Sequence, residues 1–437
     1  MKRSSIILAM ALLAIIVWSS SAFATNGDNM IGVGPIANSM GGVGIAAPQD
    51  AITSVFANPA TLGAVPFFPA PSFDFAGTLF MPKISAEIRT TNGTTTSSVK
   101  ADSADAVYAI PAIGLNVPMG PDMPKWRFGL AAYGVSGLGV DYRGTSLDNA
   151  SGYDFGGGAV APLIQGEYTQ LQIMKFSPAI SYKASDALAL GAALQIDYAT
   201  LDLRHGTSPN YGVGVNLGLA YAPMDAVMLG LTYTTAQPVT HKRINDFNQD
   251  GKPEELKLES PQQAGIGAAY TIKAPIKTLI EADIKWLNWA GADGYKDFDW
   301  NNQLVYAIGA QVEPKENLFL RCGFNYGKNP LEKHNGFNGS FNPSTGMPNS
   351  AVNVQGNYLP AYYYETFRII GFPAIVEKHL TLGTGYRFSK NFSMNLGYMH
   401  AFEQTISETG TDPFGRPVTI ESKLSEDSLD FGLTWVF

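Results

Sequence analysis

Residues 25–63, TNGDNMIGVGPIANSMGGVGIAAPQDAITSVFANPATLG, decide how the rest of the chain has to be organised. The stretch is rich in Gly, Ala and small polar residues, and it lacks the period-two alternation that fills the chain from about Phe73 onward. A segment of this composition cannot bury enough apolar surface to form its own core. It makes sense as a compact plug inside a structure that closes around it, the alternative being a loosely packed N-terminal arm.

Residues 1–24, which precede this stretch, have the features of a secretory signal. Lys2 and Arg3 form a basic start, residues 6–17 are apolar, and Ala22-Phe23-Ala24 is an A-x-A cleavage site. The apolar run is short for a membrane-spanning helix, which needs about 20 residues. We therefore expect cleavage near Ala24, the alternative being an uncleaved anchor.

The composition excludes several classes of protein. The formal net charge is −8, and removal of Lys2 and Arg3 makes it more negative, which argues against nucleic acid as a partner. Cys322 is the only cysteine, so neither an internal disulfide nor a four-cysteine zinc site is available. No apolar run after the signal approaches the length of a membrane helix. A membrane protein with this sequence must therefore be a closed β-barrel.

Alternating segments favour that interpretation. In residues 188–198 and 392–402, large apolar side chains share one face and small or polar side chains share the other. In residues 279–286, Glu281 and Asp283 lie on the face that also carries Lys285. Ionisable groups in a row are costly against lipid, so this face should look into a wet or protein-filled lumen. A soluble sandwich would also alternate.

Connection lengths separate the barrel from the sandwich. The pattern predicts fourteen strands in which short and long connections alternate, as periplasmic turns and outer loops do in bacterial barrels. We therefore predict an all-β fold, a 14-stranded antiparallel transmembrane β-barrel with an N-terminal hatch in its lumen. The predicted domains are residues 1–24 as signal, 25–70 as hatch and 71–437 as barrel, with loops 246–255 and 338–349 facing outward.

The end of the chain agrees with this prediction. Residues 428–437 alternate, and Leu433, Trp435 and Phe437 share the apolar face. A last strand that ends in Phe resembles the recognition strand read by the outer-membrane assembly machinery. The alternative is an ordinary amphipathic strand.

Several segments resemble the FadL/TodX family of outer-membrane transport proteins. The hatch of that family is similar to residues 40–60, MGGVGIAAPQDAITSVFANPA, and four later segments resemble its strands: residues 125–144, 176–196, 320–330 and 367–401. Residues 333–359 and 363–366 fit no pattern of the family. The resemblance implies passive transport of hydrophobic small molecules, most simply long-chain fatty acids or aromatic and other hydrocarbons, by a monomer in contact with outer-membrane lipid and lipopolysaccharide.

The resemblance also implies a gating mechanism, in which the hatch shifts and the substrate leaves sideways through a gap near strand 3. We expect Asn58, Pro59 and Ala60 to lie inside the barrel against that strand. Gly134 and Gly137 belong to strand 3, where glycine often marks a bulge or a bend.

Two arginines are candidates for binding an acidic substrate. The alternation places Arg321 and Arg387 on inward faces, where either could hold a carboxylate. The alternative is that they pair with Glu281, Asp283 or the hatch.

Residues 246–257, DFNQDGKPEELK, contain the only metal-binding pattern that we recognise. Asp246, Asn248 and Asp250 followed by Gly match the front half of a calcium-binding loop. Lys257 occupies the twelfth position, where a bidentate Glu belongs, so the match predicts at most a structural Ca²⁺ in an outer loop. The alternative is an acidic, solvated loop, and no other cofactor is expected.

Other functions have weaker support. The five histidines are scattered without a metal-binding or nucleophile-base spacing, so we do not expect an enzyme. The competing functions are a structural or adhesive barrel and a general porin, the latter disfavoured by a plug. The aromatic residues Trp286, Trp289, Tyr295, Phe298 and Trp300 are interpreted as part of the membrane-interface girdle, or else as an apolar mouth that collects substrate.

Overall fold

The computed structural model describes residues 26–63, 69–104, 107–148, 153–154, 160–204, 206–245 and 252–437. The predicted signal and Asp246, Asn248 and Asp250 of the predicted calcium loop lie outside these ranges. No helix within the described residues is long and apolar enough to cross a membrane.

Fourteen antiparallel strands form one closed barrel, as predicted. Each strand pairs with its neighbours in chain order, and the barrel closes where β14 pairs with β1, from Ser72 opposite Val436 to Thr90 opposite Val418. The strands are β1 Ser72–Asn92, β2 Tyr108–Pro118, β3 Trp126–Asp141, β4 Tyr168–Lys183, β5 Leu188–Asp202, β6 Ser208–Met224, β7 Val227–Thr234, β8 Gln263–Ile272, β9 Lys277–Leu287, β10 Gln303–Lys315, β11 Leu318–Gly327, β12 Lys378–Ser389, β13 Phe392–Thr411 and β14 Pro417–Val436.

The barrel exposes its apolar side chains and buries its polar ones. On β5, Leu190 and Leu194 are 42% and 40% exposed, whereas Gln195 and Asp197 are buried. Large apolar side chains are exposed in the same way on strands around the barrel. This surface is stable only when lipid surrounds it, because a contiguous apolar band of this size would drive association in water.

The two ends of the barrel differ. Six short connections lie at one end, among them residues 184–187, 225–226 and 316–317, and we call it the turn end. The seven other connections lie at the other end, which we call the loop end; five of them are long, and those after β5 and β13 have five residues each. The start of β1 and the C-terminal Phe437 are both at the turn end, because Ser72 pairs with Val436. The predicted alternation of connection lengths is therefore confirmed.

The long connections carry secondary structure of their own. Thr95–Asp102 folds back on β1, and two-stranded ribbons form from Tyr153–Asp154 with Val160–Ala161, Gln237–Asn245 with Glu254–Ser260, and Ala351–Val354 with Asn357–Pro360. Phe337–Asn338 runs parallel to β13. The helical elements of these loops are the 3-10 turns Trp289–Gly291 and Lys296–Phe298, the α-helix Ala361–Thr366 and the π-helical turn Phe367–Gly371.

Residues 26–63, which we call the hatch, lie inside the barrel. They contain two short α-helices, α1 (Pro35–Ser39) and α2 (Ala51–Ala57), and a 3-10 turn, Pro59–Gly63. The side chain of Asp50 caps α2 by accepting a 2.7 Å hydrogen bond from the Thr53 amide. The apolar side chains of α2, Ile52 and Val55, are buried in the core shared with the wall.

Glycines of the barrel wall make room for the hatch. A Cβ atom at any of these glycines would come within 3.0 Å of a hatch atom. They lie on eleven of the fourteen strands: Gly114, Gly129, Gly191, Gly218, Gly230, Gly265, Gly267, Gly309, Gly323, Gly383, Gly397 and Gly432. The hatch therefore packs with its backbone directly against the wall, a close approach that only glycine permits.

We predict that Gly230→Val displaces the hatch without unfolding the barrel. The new side chain would overlap the Ile45 carbonyl oxygen, whereas the β7 backbone keeps its ladder with β6 and β8. The purified variant should conduct more current in a planar bilayer than the parent, with an unchanged yield of heat-modifiable barrel. Ala268→Val, which places the same valine side chain on the exposed face of neighbouring β8, is the control. Equal conductance of the two variants would contradict the prediction.

Candidate functional site

Three ionisable side chains of β9 bind the backbone of the hatch. Asp283 accepts hydrogen bonds from two consecutive amides at 3.0 and 3.2 Å, and Glu281 accepts from the next two at 2.7 and 3.2 Å. Lys285 donates to two hatch carbonyls at 3.2 and 2.9 Å. The amides belong to Gly44, Ile45, Ala46 and Ala47, and the carbonyls to Ile31 and Gly42. The three charged side chains from which a filled lumen was predicted therefore bond to the backbone of the segment that fills the lumen.

Polar side chains of six further strands extend this pattern. They bind hatch groups at 2.8 to 3.2 Å: Asp74 of β1, Asn116 of β2, Asn216 of β6, Asn325 of β11, Thr381 of β12 and Asp430 of β14. Each neutral hydrogen bond of this kind is worth about 0.5–1.5 kcal/mol net, and bonds to charged groups about 1.5–3 kcal/mol. The hatch is therefore held by many separable contacts and by no ladder of its own.

Asn58, Pro59 and Ala60 lie inside the barrel, but the predicted neighbour is wrong. The Asn58 amide donates to the Ile45 carbonyl of the hatch at 2.7 Å and to the Leu219 carbonyl of β6 at 3.0 Å. Ala60 faces β4 and β5, where Ser181 donates to its carbonyl at 3.2 Å. Asn58, Pro59 and Ala60 therefore pack against β4 to β6, whereas Leu62, at the end of the turn, packs against Gly129 of β3. A turn motif specifies a local conformation and carries no information about which strand receives it.

β3 instead meets the first residues of the hatch. The pairing of β2 with β3 runs from Pro118–Arg127 to Ala112–Tyr133 and ends there, whereas β3 stays paired with β4 to its end. The register with β4 shifts between Gly134 and Ser136, which makes Val135 a bulge. The Met30 amide donates to the Val135 carbonyl at 3.0 Å, and the Gly137 amide donates to the Asp28 carbonyl at 3.2 Å. Gly134 and Gly137 thus flank the point where the hatch replaces β2 as partner.

A small inner pocket lies beside this bulge. It has a volume of about 50 Å³ and is bounded by Ile45 and Phe56 of the hatch, by Tyr133 and Val135 of β3, and by the side chain of Lys175. The Lys175 amine is paired with the buried Asp197 at 2.8 and 2.9 Å. Lys285 also borders the pocket. The pocket is therefore apolar on the hatch side, and both of its lysines already have partners.

Arg321 and Arg387 share a cavity on the other side of the hatch. This turn-end cavity has a volume of about 260 Å³, and both guanidinium groups lie over the ring of Phe319, at 5.6 and 5.2 Å from its centroid. Arg321 donates to Gln311 at 2.6 Å and to Asn395 at 2.9 Å. The structure therefore brings the two predicted arginines together and gives Arg321 amide partners in place of Glu281 or Asp283.

The aromatic residues after β9 form a buried cluster at the loop end. Trp289, Tyr295 and Trp300 pack with their rings inclined at 57° to 63° and their ring centroids 4.6 to 5.1 Å apart, and each is at most 6% exposed. The girdle interpretation is wrong for them and for buried Phe298, because girdle residues face lipid. A pocket at the loop end, the outer pocket, is lined by Leu171, Leu256, Leu258, Gly294, Tyr295, Phe298, Trp300, Phe367, Arg368 and Phe372.

Sequence reasoning missed the segment that covers the loop end of the lumen. Residues 361–371 are all buried, although they belong to the long β11–β12 connection. The available signal was the spacing of Tyr363, Tyr364, Phe367 and Ile370, which places aromatic and aliphatic side chains on a helical period. The signal was missed because the surrounding loop fits no pattern of the family.

A buried ion cluster lies in this segment. Within the described residues, His334, Glu365 and Glu408 bring ligand atoms within 4.8 Å of one another, a spacing that could suit a metal ion. The Arg368 guanidinium donates to Glu365 and Glu408, however, and supplies the positive charge that a metal would supply. The hydrogen bond from His334 to Glu365 raises the pKa of the imidazole, so the protonated ring is favoured there.

The chain is similar to one family along most of its length. The family model described as outer membrane protein transport protein (OMPP1/FadL/TodX) matches residues 10–336. No curated protein sequence matches the chain.

Solved structures share the fold at low sequence identity. A FadL homologue of Pseudomonas aeruginosa is 14% identical, with 95% of this chain and 100% of that chain covered and a TM-score of 0.65. The toluene transporter TodX of Pseudomonas putida is 18% identical, with coverage of 94% and 100% and a TM-score of 0.62. The toluene transporter TbuX of Ralstonia pickettii is 16% identical, with coverage of 93% and 98% and a TM-score of 0.57.

We predict that Asn58→Ala combined with Pro59→Ala loosens the hatch and leaves the barrel folded. The double variant loses the bond from Asn58 to Leu219 of the wall, and one bond of about 1 kcal/mol changes a closed-to-open ratio by roughly 5-fold. It also loses the bond from Asn58 to Ile45, which holds the hatch together internally. Single-channel recordings should show more frequent openings. Asn342→Ala, at an exposed loop position remote from the hatch, is the control. Parental opening frequency in a fully assembled double variant would mean that Asn58 and Pro59 form only a turn.

Proposed function

Because this chain belongs to the OMPP1/FadL/TodX family of outer-membrane transport proteins, we propose that it admits hydrophobic compounds by movement of its hatch and lateral exit through the barrel wall. Transport is passive. The proposed substrates are long-chain fatty acids or hydrocarbons, including aromatic ones such as the toluene named for TodX and TbuX.

The interrupted wall at β3 is the observation that carries this proposal. The β2–β3 ladder ends at Ala112–Tyr133, and hatch residues 28–30 occupy the edge of β3 beyond that point. Withdrawal of these residues would leave a wall without a ladder beside the bulge at Val135. An apolar molecule could then pass into lipid without crossing a row of backbone hydrogen bonds.

The pockets support a path to this gap from the loop end. The outer pocket is apolar and aromatic, which suits hydrophobic molecules, and its volume of about 20 Å³ means that a substrate fits there only when its walls move apart. The inner pocket is walled by both the hatch and β3, so an occupant would touch the two elements that have to separate. Binding there would stabilise the open arrangement in proportion to its preference for it.

The competing functions have less support. A general porin needs a water-filled lumen, whereas the hatch fills the middle of this barrel through contacts with most of its strands. A structural or adhesive barrel would gain nothing from a β2–β3 hydrogen-bond ladder that ends at Ala112–Tyr133. We expect the protein to act as a transport channel and not as an enzyme.

A disulfide across the gap tests the lateral exit. A Cβ atom on Gly134 would lie 4.0 Å from the Cβ atom of Ile110, within the range that a disulfide requires. In a Cys322→Ser background, Ile110→Cys with Gly134→Cys should lower the uptake of radiolabelled toluene to that of cells without the protein. Reduction should restore uptake.

The control pair staples the same strands where they are already paired. Ile113→Cys with Ala132→Cys joins directly opposed residues of β2 and β3, and its oxidation should leave uptake unchanged. Full uptake through the oxidised Ile110–Gly134 pair would show that the substrate leaves by another route, and the lateral exit would have to be abandoned.

The lumenal cations distinguish two routes for an acidic substrate. Lys175 and Lys285 border the inner pocket, on the path to the gap at β3. Arg321 and Arg387 border the turn-end cavity, which an acid reaches only after passing the hatch. We propose that the arginines bind a carboxylate on this second route, and that a neutral hydrocarbon does not bind to them.

We predict that Arg321→Gln lowers fatty acid uptake by about 10-fold and leaves toluene uptake unchanged. The factor is that expected for loss of one charge-assisted hydrogen bond to the substrate. Lys273→Gln, which removes an exposed charge at the same end of the barrel, is the control. If both substrates slow equally in a folded variant, Arg321 only supports the wall through Gln311 and Asn395.

A further inference from the structure

Residues 361–371, which we call the outer cap, close the loop end of the lumen. They comprise the α-helix Ala361–Thr366 and the π-helical turn Phe367–Gly371, and every residue in them is buried. The family model matches residues 10–336, so this segment lies beyond the matched range. The cap and the hatch are separate plugs, one from a loop and one from the N-terminus.

The cap is tied to connections on opposite sides of the mouth. Toward the β3–β4 connection, the Tyr363 hydroxyl donates to the Pro162 carbonyl at 2.9 Å, and the Gln165 amide donates to the Thr366 hydroxyl at 3.1 Å. Toward the β9–β10 connection, the Tyr364 hydroxyl donates to the Asp299 carboxylate at 2.8 Å. A segment fixed to both connections spans the opening between them.

One buried arginine joins the cap to three other stretches of the chain. Arg368 is 1% exposed, and its Nε donates to the Phe298 carbonyl at 2.8 Å. Its other nitrogens donate to the Glu332 carbonyl, to the Glu365 carboxylate of the cap itself and to Glu408 of β13. Loss of this guanidinium would leave two buried carboxylates without their main cation, a state that the closed cap cannot tolerate.

The cap also forms part of the outer pocket. Phe367 and Phe372 line that pocket from the cap side, and Phe298 and Trp300 line it from the β9–β10 connection. The ring centroids of Phe367 and Phe298 are 5.0 Å apart. A molecule captured in the outer pocket therefore lies between the cap and the connection to which Arg368 ties it.

We propose that the outer cap is a second gate, in series with the hatch, and that Arg368 is the positioning residue that holds it closed. The inference rests on the proposed transport function, because a gate at the loop end matters only for a substrate that enters there. A ligand in the outer pocket opens the gate by separating Phe367 from Phe298, and the ion cluster returns the cap to its closed place.

A reversible disulfide tests whether the cap must move. In a Cys322→Ser background, Gln165→Cys with Thr366→Cys joins the cap to the β3–β4 connection at the 3.1 Å contact. Oxidation should reduce toluene uptake by reconstituted vesicles to the background of empty vesicles, and reduction should restore it. Thr91→Cys with Thr96→Cys, a directly opposed pair in the hairpin that follows β1, is the control and should transport in both redox states.

Substitution of Arg368 tests its own role. Arg368→Met should raise the rate of toluene uptake, because the cap loses its anchor while the hatch contacts stay intact. Arg368→Lys keeps the charge but cannot reach the same set of partners, so its effect should be intermediate. Should Arg368→Met fail to assemble, an increase in the rate of toluene uptake with Arg368→Lys carries the same conclusion, and parental uptake by the assembled variants overturns it.

The outcomes separate the gate from the transport function. Unchanged uptake by the fully oxidised Gln165–Thr366 variant would overturn the gate and leave the proposed function standing. Absence of toluene and fatty acid uptake in the parent and in the reduced variant would overturn both.

Discussion

The backbone amides and carbonyls of the hatch have to bond to side chains of the wall, because the backbone groups of the surrounding strands already bond to one another. In a closed barrel, the amides and carbonyls of each strand form hydrogen bonds with its two neighbours. A segment in the lumen can therefore bind only what projects from the wall. Glu281, Asp283 and Lys285 of β9 meet this need at six backbone groups, and wall glycines bring the backbone close elsewhere. The hatch is fixed in place without being part of the sheet, so its contacts can be exchanged singly while the barrel remains intact.

The exception to this arrangement lies at β3. Beyond Tyr133, β3 loses β2 as a partner, and residues 28–30 bond to its backbone directly. The same segment that fills the lumen thus completes the wall. Movement of the hatch away from β3 and opening of the wall are therefore one event. This coupling makes a gap in the wall compatible with a barrel that is otherwise sealed, because the gap exists only when the hatch has moved.

The parts of the structure that lipid constrains were predictable from the sequence, and the parts that only protein contacts constrain were not. Lipid on one side of each strand imposes a period of two, which is why the strands and the inward position of Asp283 could be predicted. The partner of Asp283 could not, because it is a pair of backbone amides more than 200 residues away. The sequence around Asn58 indicates a turn, but it does not indicate that this turn packs against β6. The aromatic residues near Trp289 have the composition of an interface girdle, and the same composition serves a buried loop cluster.

Whether an acidic or a neutral substrate disturbs the lumen depends on the partners that the lumenal cations already have. Lys175 is bound to Asp197, Lys285 to two hatch carbonyls, and Arg321 to Gln311 and Asn395. A neutral hydrocarbon disturbs none of these contacts. An acid gains from a lumenal cation only by replacing an existing partner, so its net gain is the difference between two bonds. For Lys285, the displaced partner is the hatch itself. Binding of an acid there would therefore weaken the closed hatch, whereas a hydrocarbon would have to act through apolar contacts with Ile45 and Phe56.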